Sequence, residues 1–298
     1  MTKAFIFPGQ GGQFIGQTKS WLDRDPALME ILALADEISG RPITRLSLEG
    51  PLEELSRTAN LQPAVVAASL MGHRLMRAAG LKPDFVCGHS LGEFSALCAA
   101  GVFDERTALT LVSRRGALME EQAAQNPGAM TAVLGLSTEE VAAICELARN
   151  EGPVVLANFN TPDQIVISGN LRAVAAAGKY AKMKNGKVLP LPLSGAFHSP
   201  LMAAAAEKFA AELEKTDFRT PACQVIPNSS ARPTADPAEI KSRLMTQMTS
   251  PVLWTQTVQA LAEAGVTDYI EAWPKPYLTS LVKKCLPRAA AARTEAFA

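Results

Sequence analysis

Two rhythms of apolar residues alternate along the first part of the chain. Short unbroken runs bounded by turn residues, "AFIF" at 4–7 and "DFVCG" at 84–88, read as buried strands. Apolar positions recur at helical spacing from Ala64 to Ala79, after Ser90, and again from about Asp104. Strands alternating with helices predict a parallel sheet covered by helices. From about Gly128 to Leu193 the order changes to strand "AMTAVLG", helix "STEEVAAICELAR", strands "PVVLANF" and "QIVISG", a helix from Leu171 to about Met183, and strand "KVLPLPL". That is the β-α-β-β-α-β order of a ferredoxin-like unit. Ser137 with Glu140 makes a capping box at the start of its first helix. Beyond it, "SPLMAAAAEKFAAELEK" opens a helix with Ser199 as N-cap and Pro200 at the first position. The large layer resumes with "CQVIP", a helix from about Pro251, and "DYIEAW".

These patterns predict a large α/β domain, residues 1–127 and 194–298, interrupted by a small domain, residues 128–193, with a cleft between the two. No internal repeat or low-complexity linker divides the chain, and the alanine-rich tail from Arg288 reads as frayed. The 298 residues suffice for a substantial core. Lys+Arg and Asp+Glu number 29 each, with no long run of one sign, which argues against nucleic acid as a partner. The five cysteines, Cys87, Cys98, Cys145, Cys223 and Cys285, are odd in number and lack C-x-x-C spacing. Reduced thiols in a cytosolic protein are expected, rather than disulfides or a zinc site. The apolar core of "MTKAFIFPGQ" is too short for a secretory signal, and no apolar run reaches the roughly 18 residues of a membrane span. The expectation is a soluble, cytoplasmic protein that engages no membrane.

The glycine-rich stretch "PGQGGQFIGQT", Pro8 to Thr18, follows the first strand. Gly11 to Thr18 matches a phosphate loop except that Gln17 replaces the lysine that reaches the outer phosphates. A dinucleotide fingerprint fails too, because Phe14 stands where a small residue is required. These glycines need another explanation.

"GHSLG", Gly88 to Gly92, fits the G-x-S-x-G nucleophile turn, with a strand before it and a helix after. A serine at a helix start also serves as an N-cap, but the strand–turn–helix context favours a nucleophile at Ser90. A serine hydroxyl needs a base, and the chain has three histidines. His73 lies inside a helical pattern and reads as structural. His89 occupies the sharp turn, so its side chain is expected to point away from Ser90. By elimination His198, between "VLPLPL" and a capped helix, is the candidate base; the alternative is a loop histidine on the surface. In "DERTALTLVSRRGALMEEQ" the apolar stripe Ala108, Leu111, Val112, Met119 includes Arg115, whereas Arg114 falls toward the polar side. A buried guanidinium needs an anion, either an internal Asp or Glu or a substrate carboxylate.

Taken together, "PGQGGQ", "GHSLGE", "SRRGALM", "ANFNTPDQIVISG" and "GAFHSPLM" resemble, in order and over essentially the whole chain, the malonyl-CoA:acyl carrier protein transacylases of fatty acid synthesis and the related polyketide acyltransferase domains. The resemblance implies an α/β fold in which an α/β-hydrolase-like large domain carries an inserted ferredoxin-like small domain. It implies that Ser90 is acylated by malonyl-CoA with His198 as general base and acid, and that the acyl group passes to the phosphopantetheine thiol of acyl carrier protein. It places the amides of Gln10 and Leu91 in the oxyanion hole and Arg115 on the malonyl carboxylate. The Gln247 backbone carbonyl would orient the histidine, and Phe197 would accompany malonyl rather than methylmalonyl choice. No metal or redox cofactor is called for, and the expected enzyme acts as a monomer. Three rivals remain: a trans-acting transferase of a polyketide synthase, a serine thioesterase that uses water, and a non-catalytic binding module. One segment departs from the family. Its members carry a glycine-rich "GPGKVL" after the last strand, where this chain has "EAWPKPYLTSL", with Trp273, Lys275 and Pro276 in the altered stretch. The divergent loop from Trp273 to Tyr277 is expected to change the local surface for coenzyme A or carrier protein, not the chemistry.

Overall fold

A computed structural model describes residues 1–193, 195–286 and 292–297. The chain opens with strand β1 (Thr2–Phe7), followed by four helices, α1 (Lys19–Arg24), α2 (Met29–Ser39), α3 (Ile43–Glu49) and α4 (Leu52–Leu55), and the long α5 (Thr58–Ala78). Strand β2 (Phe85–Gly88) leads into α6 (Gly92–Ala99) and α7 (Glu105–Gln125). Next come β3 (Gly128–Leu134), α8 (Thr138–Ala148), β4 (Val154–Thr161), β5 (Gln164–Asn170), α9 (Leu171–Met183) and β6 (Lys187–Pro190). The remainder is α10 (Ala203–Glu214), β7 (Gln224–Val225), α11 (Pro237–Met245), α12 (Trp254–Glu263), β8 (Val266–Glu271), α13 (Leu278–Cys285) and β9 (Arg293–Ala296).

Among the described residues the strands form two sheets. One is parallel, in the order β7-β2-β1-β8-β9; the other is antiparallel, in the order β4-β5-β3-β6. The architecture is thus mixed α/β, with a parallel layer and a separate antiparallel layer. Side chains of β1 alternate between two cores: Phe5 and Phe7 pack with α5, α6 and α7, while Ala4 and Ile6 pack with Trp254, Val258 and Val282. Burial on both faces explains why this strand is an unbroken apolar run rather than an alternating one. In the antiparallel layer, Val133, Ile165 and Ile167 pack under α8 and α9. The opposite face, with Met130, Ala132 and Val166, joins the core of the parallel layer.

Local signals hold where their chemistry is local. Ser137 and Glu140 make the reciprocal capping box of α8. Ser199 accepts from the Leu201 amide at the start of a short 3-10 turn, Pro200–Met202, that runs into α10. Three expectations change. Helix α5 begins six residues before Ala64, because Pro63 removes one hydrogen bond from a helix buried along nearly its whole length. Helix α12 begins at Trp254 rather than Pro251 because Val252 is pulled out as an extended bridge on β4. Its amide donates to the Ala157 carbonyl at 2.8 Å, and its carbonyl accepts from the Phe159 amide at 2.9 Å. The tail is not frayed throughout: Arg293–Ala296 pairs in parallel with β8 from Asp268 to Glu271. The alanine-rich stretch 288–291 and residue 298 lie outside the described residues.

Candidate active site

Strand β2 delivers Ser90. The turn after it is tight: a Cβ on Gly88 would sit 2.0 Å from the Gly92 carbonyl carbon, and one on Gly92 would sit 2.0 Å from the Phe7 carbonyl oxygen. Only glycine permits that approach of α6 to the sheet. Ser90 itself has φ of 51°, a conformation costly for a residue with a Cβ. It is not the helix N-cap, a position held by Leu91 with no side-chain capping bond. Asn228, just beyond β7, braces the turn by accepting from the Ser90 amide and donating to the Gly88 carbonyl, both at 2.6 Å.

The Ser90 hydroxyl lies 2.7 Å from His198 Nε2. His198 also has a positive φ, 57°, so both members of the pair are held in sparsely populated backbone geometry. Its Nδ1 faces two backbone carbonyls, Gln247 at 3.1 Å and Ser250 at 3.0 Å. With acceptors on that side, Nδ1 carries the proton and Nε2 is left to accept from Ser90. Burial, and then the charge of Arg115, push the imidazole down to about 3, so it is neutral at physiological pH. The other histidines do as their positions predict. His73 is buried edge-on to Phe5 and Phe7, and burial lowers it to about 4. His89 turns away to Asn160 Oδ1 at 2.9 Å and packs on Trp254.

Arg115 is fully buried, whereas Arg114 lies 3.7 Å from Glu212 at the surface. No carboxylate touches the Arg115 guanidinium among the described residues. Its terminal nitrogens donate to Gln62 Oε1 and Gln247 Oε1, each at 3.0 Å, and one of them lies 3.4 Å from the Ser90 hydroxyl. The Phe94 ring lies under it at 5.6 Å. Burial lowers its affinity for the proton to about 10, and it stays cationic at neutral pH. Gln247 also passes its amide to Glu93 Oε2 at 2.7 Å and to the Ser90 carbonyl at 3.0 Å. Glu93 is fully buried and is pushed up to about 7 by burial. Gln247 thereby joins the arginine, the acid, the serine turn and, through its backbone, the histidine.

The Gln10 loop closes the other side. A Cβ on Gly9 would meet the His89 carbonyl at 2.4 Å, so the loop backbone lies directly on the serine turn. No described residue accepts from the amides of Gln10 or Leu91. The phosphate-loop likeness does not extend to geometry, because the Gly16 amide is spent on Ser47 O at 2.8 Å and Gln17 is buried. Gln10, His89, Ser90, Met119, Phe197 and His198 line a cavity of about 150 Å³ together with Met130, Asn158, Asn160 and Val166 of the antiparallel layer. The structure thus brings Gln10, Ser90, Leu91, Arg115, Phe197, His198 and Gln247 to one place. The sequence reading missed Asn228, Gln62 and the Ser250 carbonyl, for which no motif gives a signal. It also missed Glu93, which was visible as a lone acid in the otherwise apolar run after Ser90.

A serine on a strand-to-helix turn, paired with a neutral histidine inside a mixed α/β fold, is the constellation of serine-dependent acyl chemistry. The chain belongs to the acyl transferase domain family, whose model matches residues 4–298, and within it to the malonyl CoA-acyl carrier protein transacylases. It is 41% identical to such a transacylase from Bacillus subtilis (strain 168) over 283 residues, covering 94% of this chain and 89% of the relative. A malonyl-CoA:acyl carrier protein transacylase from Xanthomonas oryzae pv. oryzae superposes with a TM-score of 0.95 at 37% identity, covering 100% of this chain and 94% of the other. A malonyl-transacylase in complex with a type II PKS acyl-carrier protein gives 0.94 at 36% identity, covering 99% and 96%.

Proposed function

We propose that the protein moves a malonyl group from malonyl-CoA to the phosphopantetheine thiol of an acyl carrier protein in fatty acid synthesis, through a malonyl-Ser90 intermediate. The observation that carries the reading is the 2.7 Å bond from Ser90 to a neutral His198, with the Arg115 guanidinium 3.4 Å from the same oxygen. A buried cation without a carboxylate partner bears a desolvation cost that an incoming carboxylate offsets. The cavity, of a size that holds a benzene-like guest, suits a three-carbon acyl unit.

In this mechanism His198 Nε2 takes the hydroxyl proton as Ser90 Oγ bonds to the thioester carbonyl carbon. The negative oxygen of the tetrahedral intermediate accepts from the Gln10 and Leu91 amides, donors of a kind worth about a hundred- to a thousandfold each. The carbon–sulfur bond then breaks, and His198 returns the proton to the coenzyme A sulfur. The carrier thiol runs the same steps in reverse, giving ping-pong kinetics. The Gln247 and Ser250 carbonyls hold the tautomer without a triad carboxylate. Phe197 crowds a 2-methyl branch and so favours malonyl over methylmalonyl. The exchange transfers no electrons: Ser90 and His198 carry its proton, the Gln10 and Leu91 amides its oxyanion and Arg115 the malonyl carboxylate, so the mechanism calls for no metal or redox cofactor. We read the enzyme as a cytoplasmic monomer; among the described residues no helix is long and apolar enough to cross a membrane.

The same reading covers the finer fold class. The antiparallel layer, whose strands in chain order lie 2-3-1-4 across the sheet, is taken as a ferredoxin-like insertion spanning 128–193 in an α/β-hydrolase-like domain of 1–127 and 194–298.

Intact-protein mass after mixing with malonyl-CoA, methylmalonyl-CoA or acetyl-CoA, followed by purified carrier proteins, tests the reading. One malonyl group on Ser90 that is discharged by a carrier protein is expected. An adduct lost to water faster than to any carrier would make the protein a thioesterase, and no adduct would leave only a binding module. Faster discharge by a polyketide carrier than by a fatty acid carrier would move the enzyme to that pathway.

A further inference from the structure

The Gln10 loop has a second neighbour. Its backbone runs through Gly9, Gly11 and Gly12, and glycine keeps the widest range of conformations in a free chain. An amide that must meet an oxygen at one fixed point therefore needs external restraint. The serine turn restrains the loop on one side. The segment from Glu271 to Leu278 does so on the other. Tyr277 Oη donates to the Gln10 carbonyl at 3.2 Å, and Trp273 Nε1 donates to the Gly12 carbonyl at 3.3 Å. The phenol also covers the glycines: a Cβ on Gly11 would lie 2.5 Å from Tyr277 Oη, and one on Gly12 would lie 3.0 Å from the ring. Lys275 Nζ sits 3.9 Å above the Phe14 ring at the far end of the loop.

This strap is itself anchored. Glu271, fully buried at the end of β8, accepts from the amides of Tyr277, Leu278 and Thr279 at 2.8 to 3.0 Å, which fixes the start of α13. Trp273 is fully buried. Tyr277 also borders both the inner cavity and an outer groove of about 590 Å³ lined by Gln13, Leu52, Leu61 and Leu191. The phenol thus stands where the loop, the inner cavity and the outer groove meet.

We propose that Tyr277, seconded by Trp273, is a positioning residue that holds the Gln10 carbonyl, and so restrains the peptide plane next to the one whose Gln10 amide points at the developing oxyanion. The proposal rests on the oxyanion role given to Gln10 above. Tyr277 touches the loop backbone and acts through it, so its hydroxyl contributes to the rate of acyl transfer more than to substrate binding.

Tyr277→Phe keeps the ring over Gly11 and Gly12 and removes only the hydroxyl. Stopped-flow acylation of Ser90 by malonyl-CoA should slow by about tenfold to a hundredfold, the scale of small misplacements at a reacting centre. The malonyl-CoA concentration at half-maximal rate should stay within about twofold, and the melting temperature should stay near that of the wild type, as expected for a contact made to order a transition state. Trp273→Phe should slow the same step less, because its bond lies two residues further from Gln10. Acylation of Tyr277→Phe within twofold of the wild type overturns the proposal. So does a rate loss matched by an equal rise in half-saturation or by a lowered melting temperature, since either marks a wall or a packing residue. A wild-type protein that gains no malonyl mass overturns the acyl-enzyme reading itself, an outcome the variants do not produce.

Discussion

The parallel sheet meets the cavity with its strand ends, whereas the antiparallel sheet meets it with its face. Gln10 follows β1, Ser90 follows β2, Asn228 follows β7, and Tyr277 follows β8, all at carboxyl ends of neighbouring parallel strands. Ligands of open α/β sheets gather at those ends because each strand stops there and hands its chain to a loop or helix. The other layer contributes Met130, Asn158, Asn160 and Val166, side chains that alternate onto one face of β3, β4 and β5. Strand ends bring backbone amides and strained turns, which polarise and donate. A strand face brings only side chains, which fill and exclude. Gln10, Ser90 and Tyr277 therefore reach the cavity from the first layer, while the side chains that wall it opposite them come from the second.

The greatest expected effect falls at the end of β2, where Ser90 meets His198 from the loop after β6. His198→Ala should slow acylation of Ser90 by about a thousandfold, read as the burst of released coenzyme A; a burst near the wild-type rate would point to a different base. Arg115→Ala should come next. The ratio of malonyl to acetyl transfer should fall about a hundredfold, because a buried site for a carboxylate would be gone, and an unchanged ratio would remove Arg115 from selectivity. Taking a ratio keeps any loss of folded protein out of the comparison.

A smaller effect concerns the acid beneath the site. His198 and His73 are held neutral in the folded protein, at about 3 and about 4, against an ordinary 6.5. Below pH 6.5 the unfolded chain binds more protons at these groups, so their share of stability is lost as pH falls through that window. Glu93, raised from 4.5 to about 7, has the opposite sign: its folded form holds the proton, and its share is lost as pH rises through 4.5 to 7. Glu93→Gln removes only that opposing slope. Its melting temperature should drop more steeply than the wild type's between pH 7 and 5, and parallel curves would mean that Glu93 does not titrate in the native protein. The smallest effect belongs to the outer edge of the antiparallel layer. Leu189→Ser, on the exposed edge strand β6, should cost less than about 0.5 kcal/mol in denaturant melts and leave acylation unchanged. A larger loss would give that edge a part in the site.

Much of this arrangement was legible beforehand. The strands "AFIF" and "DFVCG", the order of the antiparallel unit, the Ser137 capping box and the Ser199 cap all depend on residues close in the chain. Ser90 was legible because a nucleophile turn needs its glycines at fixed spacing, and Arg115 because it interrupts an apolar stripe. The start of α12 was misplaced because Val252 answers to β4, more than 90 residues away, and the tail because Arg293–Ala296 answers to β8.

What the sequence determined by itself was the local grammar: which segments coil or extend, where glycine is required, and which residue types have chemistry to offer. What only the tertiary structure decided was partnership. Asn228 bracing the serine turn, Gln247 linking Arg115 to Glu93, the Ser250 carbonyl on His198 and Tyr277 over the Gln10 loop are hydrogen bonds between residues 52 to 267 positions apart, in different elements and loops. Hydrogen bonds act over about 3 Å, and a distance that short between remote residues is set only when the whole chain has packed.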